Sequence, residues 1–225
     1  PEHAFGETSG GGLYRLSPSS GEIKKLISGK GRGIVKYPDG YLWINMLKGI
    51  CILDDNFEII DTIALLPNSE AHGLCYYAAK NSVIVAQPGR DSIGIYCLES
   101  GKCNQEIYIS KKAHGNKQDN HHINDLCIFG NSLFVSMFSI SGNWTNECYD
   151  GGVVEIDLIS REENIEFTTV IQNLWMPHSI SRFKGSLITI DSMRGQLLDL
   201  NWRVVGEFSG FVRGLDFSDG KFILG

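Results

Sequence analysis

Apolar residues along this chain fall in short runs of four to eight, many alternating with polar ones and broken by Gly, Asn, Asp or Pro. "GQLLDLNWRVVGEF" (195–208) and "SIGIYCLESGKCNQEIYI" (92–109) show the two-residue period of half-buried strands joined by turns. No segment sustains the i, i+3, i+4 apolar stripe of an amphipathic helix. β-branched and aromatic residues dominate the apolar runs, which fits strands. The pattern predicts an all-β protein.

The strand pattern also repeats. "GRGIVKYPDGYLWIN" from 31, "AHGLCYYAAKNSVIVAQ" from 71, "HINDLCIFGNSLFVSMF" from 122, "PHSISRFKGSLITID" from 177 and "VRGLDFSDGKFILG" from 212 align with one another. Each opens on a polar residue followed by a small or polar one, then strand, turn and strand. The turns carry Gly, Asn or Asp, which supply the positive φ of tight hairpins. A second hairpin follows each of the first four segments, and a fifth copy of it lies at the other end of the chain, "GGLYRLSPSSGEIKKLI" (11–27). The reading is a single domain over 1–225, a five-bladed β-propeller whose N-terminal outer strands pair with its C-terminal inner strands. Such closure removes open sheet edges. A six-bladed propeller with one blade lost to truncation is the alternative.

The repeat register places one side chain per blade at the mouth of the central channel: Arg32, His72, Asn124, His178 and Arg213. The ends of the second strands return to that face with Asn45, Gln87, Ser136 and Asp191. His122 and Asp125 flank Asn124. The insertion "FSISGNWTNECYDGG" (138–152) brings Trp144 and Tyr149 beside them. Core positions would be apolar, so a polar ring points to a pocket. Two guanidiniums can fork onto a carboxylate or phosphate, and histidines can donate or exchange protons. The expected partner is a small anionic or polyhydroxylated molecule, a sugar acid or phosphorylated metabolite. A divalent cation on His72, His122, Asn124, Asp125 and His178 competes with that reading, although the spacing matches no metal fingerprint and no cofactor is assigned. Channel residues that merely hold water are the plainer account.

Composition narrows the classes further. A net charge of −6 argues against a nucleic-acid surface. No apolar run approaches the ~20 residues of a membrane span. Six cysteines in 225 residues are too dilute for a disulfide scaffold. Cys97 and Cys103 flank the turn "CLESGKC" and are expected as buried thiols. A cytoplasmic protein is expected, with any leader hidden by the point at which the sequence begins. The surviving classes are a ligand-binding propeller, a hydrolase or lyase of sugar-derived substrates, and a scaffold with a protein partner on its rim.

At "HHINDLCIFGNSLFVSMFSISGNW" and "WMPHSISRFKGSLITIDSMRGQL" the sequence resembles a largely bacterial β-propeller family of unknown function. The resemblance implies the fold and supplies no activity. It marks His122, Asn124, Asp125, Pro177, His178 and Ser179 as matching positions. More distantly the chain resembles the gluconolactonase/regucalcin-like propellers, which imply a divalent cation and lactone hydrolysis; the early Glu-Gly-Pro ligand motif is absent. It also loosely resembles the plant-type glutaminyl cyclases, where Asp125 stands in place of a Glu.

Overall fold

The computed structural model describes residues 11–158, 167–218 and 220–225. Four four-stranded antiparallel blades follow one another among these residues. Blade 1 holds β3 (Gly31–Tyr37), β4 (Gly40–Asn45), β5 (Gly49–Leu53) and β6 (Ile59–Ile63). Blade 2 holds β7 (Leu74–Tyr77), β8 (Ser82–Gln87), β9 (Ser92–Cys97) and β10 (Cys103–Tyr108). A six-residue helix, α1 (Lys111–Asn116), leads to blade 3: β11 (Ile123–Phe129), β12 (Ser132–Met137), β13 (Gly151–Asp157) and β14 (Phe167–Leu174). Blade 4 holds β15 (Pro177–Phe183), β16 (Ser186–Asp191), β17 (Gln196–Asp199) and β18 (Val204–Glu207). Every neighbouring pair within a blade is an antiparallel hairpin. The predicted turn chemistry is present: Asn81 takes φ 43° between β7 and β8, and Gly130 takes φ 62° between β11 and β12.

Two hairpins flank this array, β1 (Gly12–Leu16) with β2 (Ile23–Ser28), and β19 (Leu215–Ser218) with β20 (Lys221–Leu224). Each is its own two-stranded sheet, and no ladder joins one to the other among the described residues. The expected closure into five blades is therefore corrected to four full blades with a hairpin at either side, and a sixth blade is likewise not seen. Each hairpin is held by its own neighbour. The first hairpin spends its apolar face on blade 1, where Leu13 meets Trp43, Cys51 and Leu53. The last spends its face on blade 4, where Leu215 and Phe222 meet Ile188, Ile190 and Leu197. The sequence repeat reveals strand count and face, not which edges pair. The turn expected within 152–170 falls largely on 159–166, outside the described residues.

The core is a series of seams between successive sheets. One seam sets Leu42, Ile44 and Ile50 of blade 1 against Leu74, Val83 and Val85 of blade 2. The next sets Ile84, Ile93 and Ile95 against Leu126, Leu133 and Val135 of blade 3. A third sets Val153 and Ile171 against Ile180, Leu187 and Leu198 of blade 4. Each fully buried Leu or Ile in these seams stabilises the array by ~1.5–3 kcal/mol. Alternate strand residues face opposite seams, which is why both faces of the middle strands read as apolar. The six cysteines are free thiols; Cys97 and Cys103 are partly exposed rather than buried, since their hairpin lies at the outer edge of blade 2. No helix among the described residues is long and apolar enough to cross a membrane.

Candidate functional site

The glycines after Arg32 and His72 have a physical cause. The first three inner strands approach so closely at their N-terminal ends that a larger side chain would not fit at these two positions. A Cβ on Gly33 would lie 2.8 Å from Leu74 Cδ2, and one on Gly73 would lie 2.2 Å from Asp125 Oδ1. Hydrogen bonds stitch the blades together at this level. Gly33 N–H donates to His72 O (3.1 Å) and Gly73 N–H to Asn124 O (2.8 Å). Asn124 Nδ2 reaches Pro177 O (3.5 Å), and Ser179 Oγ donates to Arg213 O (2.8 Å). Arg32, His72, Asn124, His178 and Arg213 therefore start five consecutive inner strands that are bonded side by side.

Four of the five side chains also meet in pairs, His72 with Asn124 and His178 with Arg213. His72 Nδ1 lies 3.0 Å from Asn124 Oδ1. Asn124 Nδ2 donates to His122 O (3.1 Å), so its oxygen faces His72, and the His72 proton must sit on Nδ1. Arg213 Nε donates to His178 Nε2 (3.3 Å), while His178 Nδ1 lies 2.9 Å from Ser192 Oγ and 3.1 Å from Met176 O. His178 is thus also a neutral Nδ1–H imidazole. Burial pushes the pKa of His72 down to about 3, and the charges of Arg32, His122 and Arg213 press the same way against the bond to Asn124. Burial and the Arg213 charge likewise hold His178 at about 3. Arg32 and Arg213 are exposed at the rim. The charges of both reach the His72 ring.

Aromatic rings wall the site. His122 packs edge-on to His72 (centroids 5.3 Å) and lies against Phe138 (4.4 Å) and Trp144 (4.5 Å). Phe138 and Phe211 each meet His178, at 5.1 and 5.3 Å. Tyr149 stands beyond Trp144 at 6.4 Å. The insertion in blade 3 thus sets Trp144 against His122 and Phe138. Asp150 and Ser139 fasten the insertion at its base (2.5 Å), and Lys112 of α1 bonds Gly142 O.

His122 has a second partner that the sequence reading missed. Its Nδ1 lies 2.5 Å from Asp119 Oδ2. Its backbone sits in the left-handed region at φ 50°, an unusual conformation for a non-glycine residue. The preceding residue anchors the loop: His121 Nδ1 is 2.7 Å from Asp91 Oδ2, and Asp91 also accepts from the backbone N–H of His121 (3.0 Å) and Asn120 (3.2 Å). Both partners of this pair are buried. The adjacent "HH" is therefore two different devices, a buried clamp and a pocket residue. The Asp-x-x-His spacing at 119–122 is the one signal that could have exposed the second.

Other candidate residues are spoken for elsewhere. Asn45 Oδ1 accepts from Leu47 N (2.9 Å) and Lys48 N (3.2 Å), capping the β4–β5 turn. Asp191 accepts from Trp175 N (3.1 Å), Arg194 N (3.1 Å) and Arg194 Nη1 (2.7 Å) at the β16–β17 turn. Gln87 accepts from Tyr96 Oη (2.6 Å) and donates to Ser92 Oγ (3.2 Å) inside blade 2. That chain continues to Glu106, which takes bonds from Arg90, Ser92 and Tyr108. Burial pushes the Glu106 carboxyl up, but these bonds outweigh it and hold it at about 2. Asp125 turns into the seam between inner strands, where burial raises its pKa to about 6 despite hydrogen bonds from Leu126, Ile180 and Ser179. Among the described residues no group of three His, Cys, Asp or Glu is arranged to hold a metal ion.

No protein-family model matches the chain, and no curated protein matches it. Solved structures do. The chain is similar to a gluconolactonase candidate at 15% identity and TM-score 0.58, covering 82% of this chain and 67% of that one. It is similar to a streptogramin B lyase at 14% identity and TM-score 0.59, covering 94% and 82%. It is also similar to the β-propeller domain of Cps50 (Swd1) from Myceliophteria thermophila, at 10% identity and TM-score 0.55, covering 88% and 64%. The chain thus spans about two thirds of the length of two of these structures. At such identities the likeness establishes architecture alone: the chain is an all-β propeller.

Proposed function

We propose that the ring at the channel mouth binds a small polyhydroxylated anion, with a sugar acid as the favoured class and a phosphorylated metabolite as its competitor. The observation that carries this is the gathering of Arg32, His72, Asn124, His178 and Arg213 on five bonded inner strands. Two guanidiniums at a rim attract an anion and fork onto it. With Nδ1 protonated, His72 presents Nε2 as an acceptor for a ligand hydroxyl. Trp144 and Phe211 offer the apolar faces on which the C–H side of a sugar ring rests. Isothermal titration with galacturonate, galactose and galactose 1-phosphate tests the reading. Galacturonate is expected to bind and galactose to bind at least ~10-fold more weakly, because a charge-assisted bond contributes ~1.5–3 kcal/mol. Equal affinity for acid and neutral sugar removes the role given to the arginines.

A second reading, an enzyme acting on sugar-derived substrates, is favoured by the Asp119–His122 pair. A gluconolactonase candidate and a streptogramin B lyase among the similar structures are consistent with it. A protein partner on the rim is the third reading, and the ring of charged and hydrogen-bonding groups makes it the least favoured. Association with nucleic acid is disfavoured by the net charge of −6.

A further inference from the structure

The two ring histidines and the neighbouring His122 are chemically unequal. His72 and His178 are held neutral, with Nδ1–H committed to Asn124 and to Ser192 or Met176. The Nε2 atom of His178 is already occupied by Arg213. His122 differs on both counts: a carboxylate holds its Nδ1, and its Nε2 has no hydrogen-bond partner among the described residues. Carboxylate, imidazole and an open Nε2 are the parts of a general base, with the carboxylate fixing the tautomer and supporting the imidazolium. His122 sits at positive φ, and such strain gathers at functional sites. Phe138 and Trp144 fix the ring plane. Asp119 Oδ1 and Trp144 Nε1 are buried without a hydrogen-bond partner among the described residues, so polar capacity is left over around this imidazole.

We infer that His122 is the general base of a hydrolytic site, with Asp119 as its positioning residue, acting on a carboxylic ester of the sugar acid that the ring accepts. The inference rests on the binding reading above. A water molecule gives one proton to His122 Nε2 as its oxygen bonds to the ester carbonyl carbon. The carbonyl electron pair moves onto oxygen, and the positive field of Arg32 and Arg213 stabilises that charge. Collapse of the tetrahedral intermediate breaks the bond to the alcohol oxygen, which takes the proton back from His122. The products are the sugar acid and the alcohol. Asp119 and His72 touch the His122 ring, His178 interacts with it electrostatically, and the charges of Arg32 and Arg213 act on His72.

The test uses methyl galacturonate as substrate, methanol release as readout, and galacturonate binding by calorimetry in parallel. The intact chain is expected to hydrolyse the ester with kcat/KM rising with pH to a plateau, since the free imidazole is the active form. Replacing His122 (H122Q) is expected to cost ~10²–10⁴-fold and to abolish that rise. Replacing Asp119 (D119N) is expected to lower kcat by a similar order with KM within a few-fold, and to displace the pH limb, which a merely structural role would not do. If galacturonate binds but the ester is not hydrolysed, the base assignment is overturned and the pocket stands. If H122Q retains full rate, another group is the base. If neither binding nor hydrolysis occurs, both readings fall together.

Discussion

Replacing Asp125 with Asn is expected to change stability by an amount that depends on pH, gaining on the parent as pH rises. The carboxyl sits at the seam where β7, β11 and β15 approach, against Gly73 and the backbone of Leu126. Burial favours its protonated form and raises the pKa from 3.8 to about 6. The sign follows. Below pH ~4 both folded and unfolded chains hold the proton, and no penalty exists. Between ~4 and ~6 the unfolded chain releases it and the folded chain does not, so stability falls. Above ~6 the loss is complete. The rise in pKa, at ~1.36 kcal/mol per pH unit, corresponds to ~3 kcal/mol, reduced towards ~2 kcal/mol because the residue is not wholly enclosed. Asn keeps one acceptor for the Leu126 N–H and carries no charge; its NH2 loses the bonds from Ile180 and Ser179 at every pH, so the burial of charge is read from the pH-dependent part of the difference. Nearby Cys75 and Cys127 have raised pKa values and stay protonated in this window, so neither confuses the difference. The assay is urea unfolding of both proteins at pH 4, 5, 6 and 7.5, with the midpoint shift read at constant m. The Asn variant should gain ~2–3 kcal/mol relative to the parent between pH 4 and 7.5 and change little beyond. A difference that is flat with pH, or that shrinks as pH rises, refutes the claim of a desolvated carboxyl.

Three further outcomes follow from the same structure. The imidazoles of His72 and His178 should remain neutral Nδ1–H tautomers down to about pH 4, as read from ring ¹⁵N shifts; midpoints near 6.5 would contradict the depressed values. Their pKa values are lower in the folded chain than in the unfolded one, so their contribution to stability is present above pH 6.5 and lost as pH falls from there. Substituting Asp91 by Ala strips three hydrogen bonds from the buried loop 120–121 and should destabilise by ~3–5 kcal/mol in urea unfolding, with a loss below 1 kcal/mol as the contrary result. Substituting Asn124 by Ala leaves the His72 Nδ1–H unpaired and should cost ~1–3 kcal/mol by the same assay, where a neutral effect would show that the proton is elsewhere.

The ring positions were legible in the sequence because the repeat fixes which residue starts each inner strand. Arg32, His72, Asn124, His178 and Arg213 share a register, and strands laid side by side bring equal registers to one level. The second-strand positions obey the same register and still mislead. Asn45 and Asp191 are residue types that cap turns as readily as they line pockets, and their bonds are made to backbone within three residues or to a neighbouring loop. Gln87 joins a network whose members, Tyr96 and Glu106, come from other strands of its blade. Closure was over-read for a related reason: matched half-units at the two ends imply complementary edges, but the apolar faces of those hairpins are satisfied against blades 1 and 4. The Asp119–His122 pair depends on how one loop folds, and a loop carries no periodicity to read.

A crystal structure grown with galacturonate tests the central claim most directly. The account predicts Arg32, His72, Asn124, His178 and Arg213 around one ligand, its carboxylate on the guanidiniums and a hydroxyl on His72 Nε2. A ligand bound elsewhere, or a mouth in which these five side chains stand apart, would contradict it.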